Sequence, residues 1–165
     1  QRQFVGSAQP DLIIGWSNYF ELYKGFDASF SLRGIFGHQI YNVTRMVFSN
    51  PADAPTLNVL SSAIEGESAK ITSDPTVSTY YLEDGDFIRL KNANIGYTFS
   101  PSLVKRLKLN SLRIYAAGQN LWTKTKYQGL DPEVSTFSDT NTAPGTDFLT
   151  FPQARTYTFG INVGF

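Results

Sequence analysis

The residues that could do chemistry are few: one histidine, His38, and the four acids of a later segment, Asp131, Glu133, Asp139 and Asp147. A histidine can form a nucleophilic triad with a serine and an aspartate, but nothing in the sequence positions such residues beside His38. The acids lack the regular alternation of an EF-hand calcium loop. We therefore predict no catalytic residue, no cofactor and no metal site. His38 is expected at a strand–loop border and the acids in solvated loops, with weak calcium binding by the acids left open.

The composition narrows the class of protein without deciding it. The formal net charge is zero and there is no basic cluster, so nothing favours a nucleic-acid partner. Cysteine is absent, which excludes disulfides and thiolate metal sites within this chain. No apolar run reaches the length of a transmembrane helix. Aromatic residues make up 15% of the chain and the mean hydropathy is −0.21, values that suit either a membrane β-barrel or a soluble β-sandwich.

The element with the clearest pattern is the C-terminal segment, residues 156–165. Its small or polar residues alternate strictly with large apolar ones, which are Tyr157, Phe159, Ile161, Val163 and Phe165. A period of two places the two sets on opposite faces of a strand. Such a strand fits the wall of a membrane barrel, with lipid outside and water inside, and also fits a soluble sheet that covers a core.

Four further strands are predicted at residues 13–22, 26–36, 87–99 and 111–122, with a tight turn at 23–25. The third of these strands alternates cleanly only in its second half. In the first half Arg89 and Lys91 would share the apolar face. Either those residues lie beyond the membrane, or a bulge shifts the alternation there.

The connections between the strands alternate in length. Two are short, at residues 23–25 and 100–110, whereas the other two, 37–85 and 124–153, run to about fifty and about thirty residues. Short turns on one side and long loops on the other are typical of outer-membrane barrels. In the first long loop Pro55, Leu57, Leu60 and Ile64 predict a short helix that stops at Gly66. The second long loop is expected to be irregular.

Several linked motifs point to one family. They are YLEDGDFIRLKN at 81–92, NIGYTF at 94–99, GQNLW at 118–122 followed by Tyr127 and GLDPE at 129–133, and FPQARTYTFG at 151–160, with weaker matches at 34–37 and 40–42. In this order they resemble the C-terminal end of the SusC/RagA-type TonB-dependent outer-membrane transporters of Bacteroidetes. The resemblance covers nearly the whole chain.

The resemblance implies the last five strands of a 22-stranded antiparallel β-barrel that holds a plug. It further implies a non-enzymatic active importer of glycans or peptides that works with TonB and a SusD-like surface lipoprotein in the outer membrane. The C-terminus would be periplasmic and the long loops extracellular. The chain lacks the TonB box, the plug and the first strands, so we expect the remainder of the barrel elsewhere.

The barrel interpretation assigns roles to individual residues. The residues expected to face the lumen are Arg33, Asn92, Asn94, Arg113 and Gln119. The residues expected to form an aromatic girdle against outer-membrane lipid are Trp16, Tyr97, Phe99, Trp122 and Phe165. The weaker candidates for contact with substrate or partner are the loop aromatics Tyr127, Phe137 and Phe148.

A soluble β-rich carbohydrate-binding module is the alternative. Such a module must bury the apolar strand faces, whereas a barrel segment leaves them in an outward band. A surface adhesin or a passive porin would share the physics of the barrel, and only a TonB box and plug upstream would separate them from an active importer.

Overall fold

The computed structural model describes residues 5–66, 70, 72–133, 136 and 143–165. The chain forms two compact units. The wall unit comprises Leu12–Ile35, Phe87–Lys124 and Gln153–Phe165. The loop unit comprises the described residues of Gln1–Asp11, Phe36–Asp86 and Thr125–Pro152. Each unit is therefore assembled from segments that lie far apart in the sequence.

The described elements are mostly strands. In chain order they are β1 Leu12–Glu21, β2 Phe26–Phe36, β3 Gln39–Asn42, β4 Leu82–Asp84, β5 Phe87–Thr98, β6 Ser111–Thr125, β7 Thr146–Asp147 and β8 Thr156–Gly164. The α-helices are α1 Val43–Phe48 and α2 Pro101–Arg106, and 3₁₀ turns occupy Tyr23–Gly25, Pro51–Asp53, Ser61–Ala63 and Thr79–Tyr81. Among the described residues, no helix is both long and apolar enough to cross a membrane.

The wall unit contains a five-stranded sheet in the order β1-β2-β5-β6-β8. These are the five strands that the sequence predicts, and their order in the sheet follows their order in the chain. β2 runs antiparallel to β5, and β6 antiparallel to β8. The predicted bounds hold closely, except that β6 continues to Thr125. Alternation was sufficient to find these strands, although it is irregular in the first half of β5, because each strand has two chemically different faces.

The irregular first half of β5 contains a β-bulge. Asn92 is paired with Ser31, but the next pair is Leu90 with Leu32, so the register passes over Lys91. The extra residue reverses the alternation, and Arg89 then stands opposite Arg33 on the polar face. Of the two explanations considered from the sequence, the bulge is confirmed.

The turn between β1 and β2 explains why a glycine follows Lys24. Both residues have positive φ angles, 63° at Lys24 and 86° at Gly25. A Cβ atom added to Gly25 would lie 2.3 Å from the carbonyl oxygen of Thr98. The other short connection is more ordered than expected, because α2 begins with Pro101 in its first turn and buries Val104.

The loop unit has its own three-stranded sheet, in the order β4-β3-β7. β3 pairs antiparallel with β4, whereas β7 joins β3 in parallel. The sequence predicted none of these short strands. β7 lies in the loop that we expected to be irregular, and its pairing brings the two long loops together.

The predicted helix that starts at Pro55 is wrong. The chain instead forms 3₁₀ turns at Pro51–Asp53 and Ser61–Ala63, and the α-helix of this loop is α1, capped by the side chain of Asn42. Leu57 and Ile64 keep 52% and 54% of their surface exposed. A short helix needs a surface on which to bury its apolar stripe, and these side chains have none.

Candidate functional site

One face of the wall unit carries aromatic side chains in contact across neighbouring strands. Trp16 meets Phe30 edge-on with ring centroids 5.2 Å apart, and Phe20 stacks on Phe30 at 6.0 Å. On the next strands Phe26 and Tyr97 lie opposite each other at 4.5 Å. These contacts confirm that the apolar residues of successive strands share one face, as alternation predicts.

This apolar face is open. Ile95 is 53% exposed, Ile161 is 67% exposed and Phe159 is 79% exposed. Soluble monomers rarely expose such large continuous apolar patches, because water makes the exposure costly. The face therefore requires a covering of low polarity.

The opposite face holds a charged pair that spans three strands. Arg113 of β6 donates from Nη2 to Asp27 of β2 at 2.6 Å, and from Nε to the second carboxylate oxygen at 3.2 Å. Asp27 is buried. A bidentate guanidinium–carboxylate pair of this kind is directional, so it fixes the positions of both strands.

A glycine makes this pair possible. Gly96 of β5, the strand between β2 and β6, stands directly opposite Asp27. A Cβ atom at Gly96 would lie 2.2 Å from Arg113 Nη2 and 2.7 Å from an Asp27 oxygen. The absence of a side chain at residue 96 therefore opens the path that the guanidinium takes across β5.

A second glycine, Gly160, leaves room for the aromatic ring of Tyr115 on the same face. The guanidinium carbon of Arg113 lies 5.4 Å from the ring centroid of Tyr115. Tyr115 is paired with Gly160 of β8, and a Cβ atom there would lie 2.3 Å from the ring. Sequence reasoning found Arg113 but missed Asp27, Gly96, Tyr115 and Gly160. Glycines inside clean strand patterns were the available signal, since they mark close approach.

The residues predicted to face the lumen lie on this polar face. Asn92 is paired with Ser31, Asn94 with Ser29, Arg33 with Arg89, and Gln119 with Thr156. Arg113 belongs to the same face through its bond to Asp27. The structure thus assembles the five residues, Arg33, Asn92, Asn94, Arg113 and Gln119, on one surface.

The predicted girdle residues divide into two groups. Trp16, Tyr97 and Phe99 lie in the aromatic contacts of the apolar face, and Phe165 is 91% exposed at the chain end. At Trp122 the alternation is interrupted, because Asn120 adopts a positive φ of 51°. The Leu121 side chain covers Gly118, which lies on the apolar face. This interruption brings Leu121 to the apolar face beside Gly118, one residue before Trp122, which is 49% exposed.

The loop aromatics have different environments. Tyr127 is buried and donates its phenol hydrogen to Asp147 Oδ2 at 2.5 Å. Burial raises the pKa of Tyr127 well above its ordinary value, and the hydrogen bond to the Asp147 carboxylate raises it further. Phe148 remains 39% exposed. Phe137 lies outside the described residues. Of these candidates, Phe148 is therefore more open to contact than Tyr127.

The candidate chemical groups of the loops differ in their environments. His38 lies at the bend after β2, as the sequence predicted. Asp131 and Asp147 are buried, so the expectation of solvated acids is wrong for them. Hydrogen bonds offset the cost of burying these carboxylates. Asp131 accepts one from the backbone N–H of Glu133, and Asp147 accepts one from Tyr127. Within the described part of the chain no three potential ligands cluster as a metal site, and Asp139 lies outside it.

An antiparallel sheet with an aromatic, exposed face and a charged, hydrogen-bonded face has the two surfaces that a segment of membrane β-barrel wall requires. No family model matches the chain, but individual relatives do. The chain is 31% identical over 173 residues to TonB-dependent receptor P3 of Formosa agariphila, which covers 99% of this chain and 17% of that protein. It is 30% identical over 164 residues to TonB-dependent receptor SusC of Bacteroides thetaiotaomicron, which covers 94% of this chain and 15% of that one.

Solved structures agree with the sequence relatives. The RagAB peptide importer in its closed-closed state matches with a TM-score of 0.78 at 26% identity, over 99% of this chain and 18% of that chain. Its open-open state matches with a TM-score of 0.77. The chain belongs to the SusC/RagA-type TonB-dependent receptors, as its motifs indicated, and it spans less than a fifth of the length of the relatives it matches.

Proposed function

We propose that this chain supplies part of the barrel wall and of the outer loops of a non-enzymatic, TonB-dependent importer of glycans or peptides. The observation that carries the proposal is the inverted burial of the wall unit. Its apolar face is open, with Phe159 79% exposed, whereas Asp27 on the other face is buried in a bond with Arg113. A wall between lipid and a polar lumen requires this arrangement.

The family relationship supports the rest of the assignment. The importer would reside in the outer membrane and work with a SusD-like lipoprotein, with TonB and with the plug and remaining strands of its own barrel. We place the short connections and the C-terminus at the periplasm and the two long loops outside the cell. The polar face would line the lumen, and the aromatics Trp16, Tyr97, Phe99 and Phe165 would meet lipid near its interfaces.

The soluble carbohydrate-binding module is the weaker alternative. It would have to bury the apolar face of the sheet against a second layer. Ile161 and Phe159 remain mostly exposed, and they belong to the same unit as the sheet itself. A partner of low polarity, such as lipid, is then needed to cover that face.

Single cysteines test the orientation, because the natural chain contains none. Leu57→Cys probes the first long loop, and Leu107→Cys probes the short connection after α2; both side chains are more than half exposed. We expect a membrane-impermeant maleimide to label Leu57→Cys on intact cells. Leu107→Cys should be labelled only after the outer membrane is permeabilised. Equal labelling of both variants on intact cells would contradict the orientation.

Import itself is tested in a strain that lacks the intact receptor. Uptake of the natural glycan or peptide nutrient should be lost, should return with the wild-type receptor, and should again be lost when TonB is removed. Uptake that persists without TonB would instead indicate a passive channel. A fully secreted, soluble receptor would favour the carbohydrate-binding module.

A further inference from the structure

Two carboxylates lie where the two long loops, 37–86 and 126–155, meet. Glu83 bonds to both loops, whereas Asp147 bonds within the second loop. Glu83, in β4 of the first loop, accepts hydrogen bonds from Asn42 Nδ2 at 3.2 Å and from Arg45 Nη1 at 3.0 Å. Its second oxygen accepts the backbone N–H of Gln128, in the other loop, at 2.8 Å. The carboxylate therefore binds two separate stretches of chain, residues 42–45 of its own loop and Gln128 of the other loop.

Asp147 plays the corresponding part in the second loop. Its side chain is 3% exposed and accepts the hydroxyls of Tyr127 and Thr150. Thr44 of the first loop joins the two loops directly: its hydroxyl donates to the Asp147 carbonyl oxygen and accepts the backbone N–H of Leu149 at 2.7 Å. The buried acid thus holds the second loop in the shape that Thr44 binds.

Among the described residues, the backbone pairing between the two loops is short. β7 has two residues, and it pairs with β3 only at Tyr41 with Thr146 and at Asn42 with Asp147. Short parallel pairs are weaker per residue than antiparallel ones. One further backbone bond, from Tyr41 N–H to the Gly145 carbonyl oxygen, measures 2.7 Å. The Glu83 carboxylate adds to this contact a bond to the other loop, and hydrogen bonds to charged groups are stronger than neutral ones.

We propose that the two long loops act as one preassembled body during import, and that Glu83 and Asp147 are the positioning residues that lock this body. The inference rests on the proposed function, since it concerns the importer at work. It goes beyond that function by stating which parts move together: a substrate entering the importer meets the loops as one surface, and the loops do not separate to admit it.

A reversible crosslink in the complete receptor tests the inference directly. Tyr41 and Thr146 are paired in adjacent strands, which lie about 4.8 Å apart, so a Tyr41→Cys/Thr146→Cys pair suits a disulfide. We expect nutrient uptake by the oxidised variant to stay within about twofold of uptake after reduction by dithiothreitol. Loss of uptake on oxidation that reduction restores would overturn the inference. If uptake fails in the wild-type receptor as well, the proposed function fails instead.

A distance measurement covers the case in which the cysteine pair does not form a disulfide. Spin labels at Leu57→Cys and Leu130→Cys, which are 52% and 72% exposed, report one loop against the other. The label distance should be the same in receptor without nutrient, with nutrient and with TonB added. A second distance population that appears with nutrient or TonB would overturn the inference.

Kinetics separate positioning from mere folding. For Glu83→Gln and Asp147→Asn we expect KM for uptake to rise by about three- to tenfold, with the maximal rate and the surface amount of receptor unchanged. Glu83→Asp should not rescue, since its shorter side chain cannot reach all three partners. Glu65→Gln, at an exposed acid of the same loop, is the matched control and should behave as wild type. An unchanged KM in both variants would refute the positioning role.

Discussion

The wall unit and the loop unit bury opposite kinds of side chain. In the wall unit Phe159 and Ile161 are largely exposed, while Asp27 is buried. In the loop unit Ile40 is 1% exposed and Tyr127 is 5% exposed. The loop unit follows the rule for proteins in water, and the wall unit inverts it. The burial pattern of the loop unit therefore suits water, and the exposed apolar face of the wall unit suits a medium of low polarity.

The interactions that stabilise the wall unit internally also differ from those that stabilise the loop unit. The wall unit relies on continuous backbone ladders such as the nine pairs between β6 and β8. The loop unit has strands of two to four residues, and buried carboxylates supplement them. Long ladders tolerate exposure of side chains because the backbone is satisfied within the sheet. Short strands have too few backbone hydrogen bonds to tolerate such exposure, so their stability depends on a few buried side chains.

The largest effect should come from opening a cavity in the loop unit. Ile40→Ala should destabilise it by about 2–5 kcal/mol, because the lost side chain leaves a void among closely packed neighbours. Ile161→Ala, at a 67% exposed position of the wall unit, is the matched change and should cost less than half as much. Hydrogen exchange of the β3 and β8 amides in the complete receptor measures both. Equal costs would contradict the comparison.

A charge on the apolar face should be the next largest change. Phe159→Arg should destabilise the complete barrel by about 2–4 kcal/mol in phospholipid vesicles, because lipid cannot solvate the guanidinium. Thr158→Arg, one residue away on the polar face, is the control and should change stability little. Unfolding by guanidinium chloride reports the difference. Equal stability of the two variants would show that both faces meet water.

Filling the glycine gap should give an intermediate effect within the wall unit. Gly96→Ala should cost about 1–3 kcal/mol, because its methyl group occupies the space of the Arg113 guanidinium. Gly15→Ala is matched, since nothing lies within 4 Å of its added Cβ, and should be neutral. In the double variant Gly96→Ala/Arg113→Ala most of the cost should disappear. Persistence of the full cost there would mean that the clash is not with Arg113.

The smallest effect concerns pH and only the loop unit. Because the pKa of Tyr127 is raised in the folded state, the unfolded chain releases this proton first, near pH 10. The contribution of Tyr127 to stability should be complete below about pH 10 and should fall as the pH rises further. Tyr127→Phe should remove that part of the alkaline loss. Proteolysis of the loops between pH 8 and pH 11 measures it, and a variant that still shows the wild-type slope would contradict the assignment.

Much of the wall could be predicted from the sequence, and little of the loop unit could. The alternation in β8 and the contrast between short and long connections indicated a barrel wall. The Arg89 and Lys91 positions left a bulge as one of two explanations, and the structure decided between them. The helix predicted at Pro55 failed because Leu57 and Ile64 find no surface to cover. β3, β4 and β7 could not be predicted, since two to four residues leave no periodic pattern.

The sequence by itself determined which faces are apolar, where the five wall strands run and to which family the chain belongs, because alternation and motifs are local properties. Only the tertiary structure decided that Gly96 leaves room for Arg113 to reach Asp27. It also decided that Tyr127 donates a hydrogen bond to Asp147 and that Glu83 bonds to both loops. These contacts unite residues up to 86 positions apart. The chain order does not specify such encounters, which depend on how the strands align and on which small residues leave room.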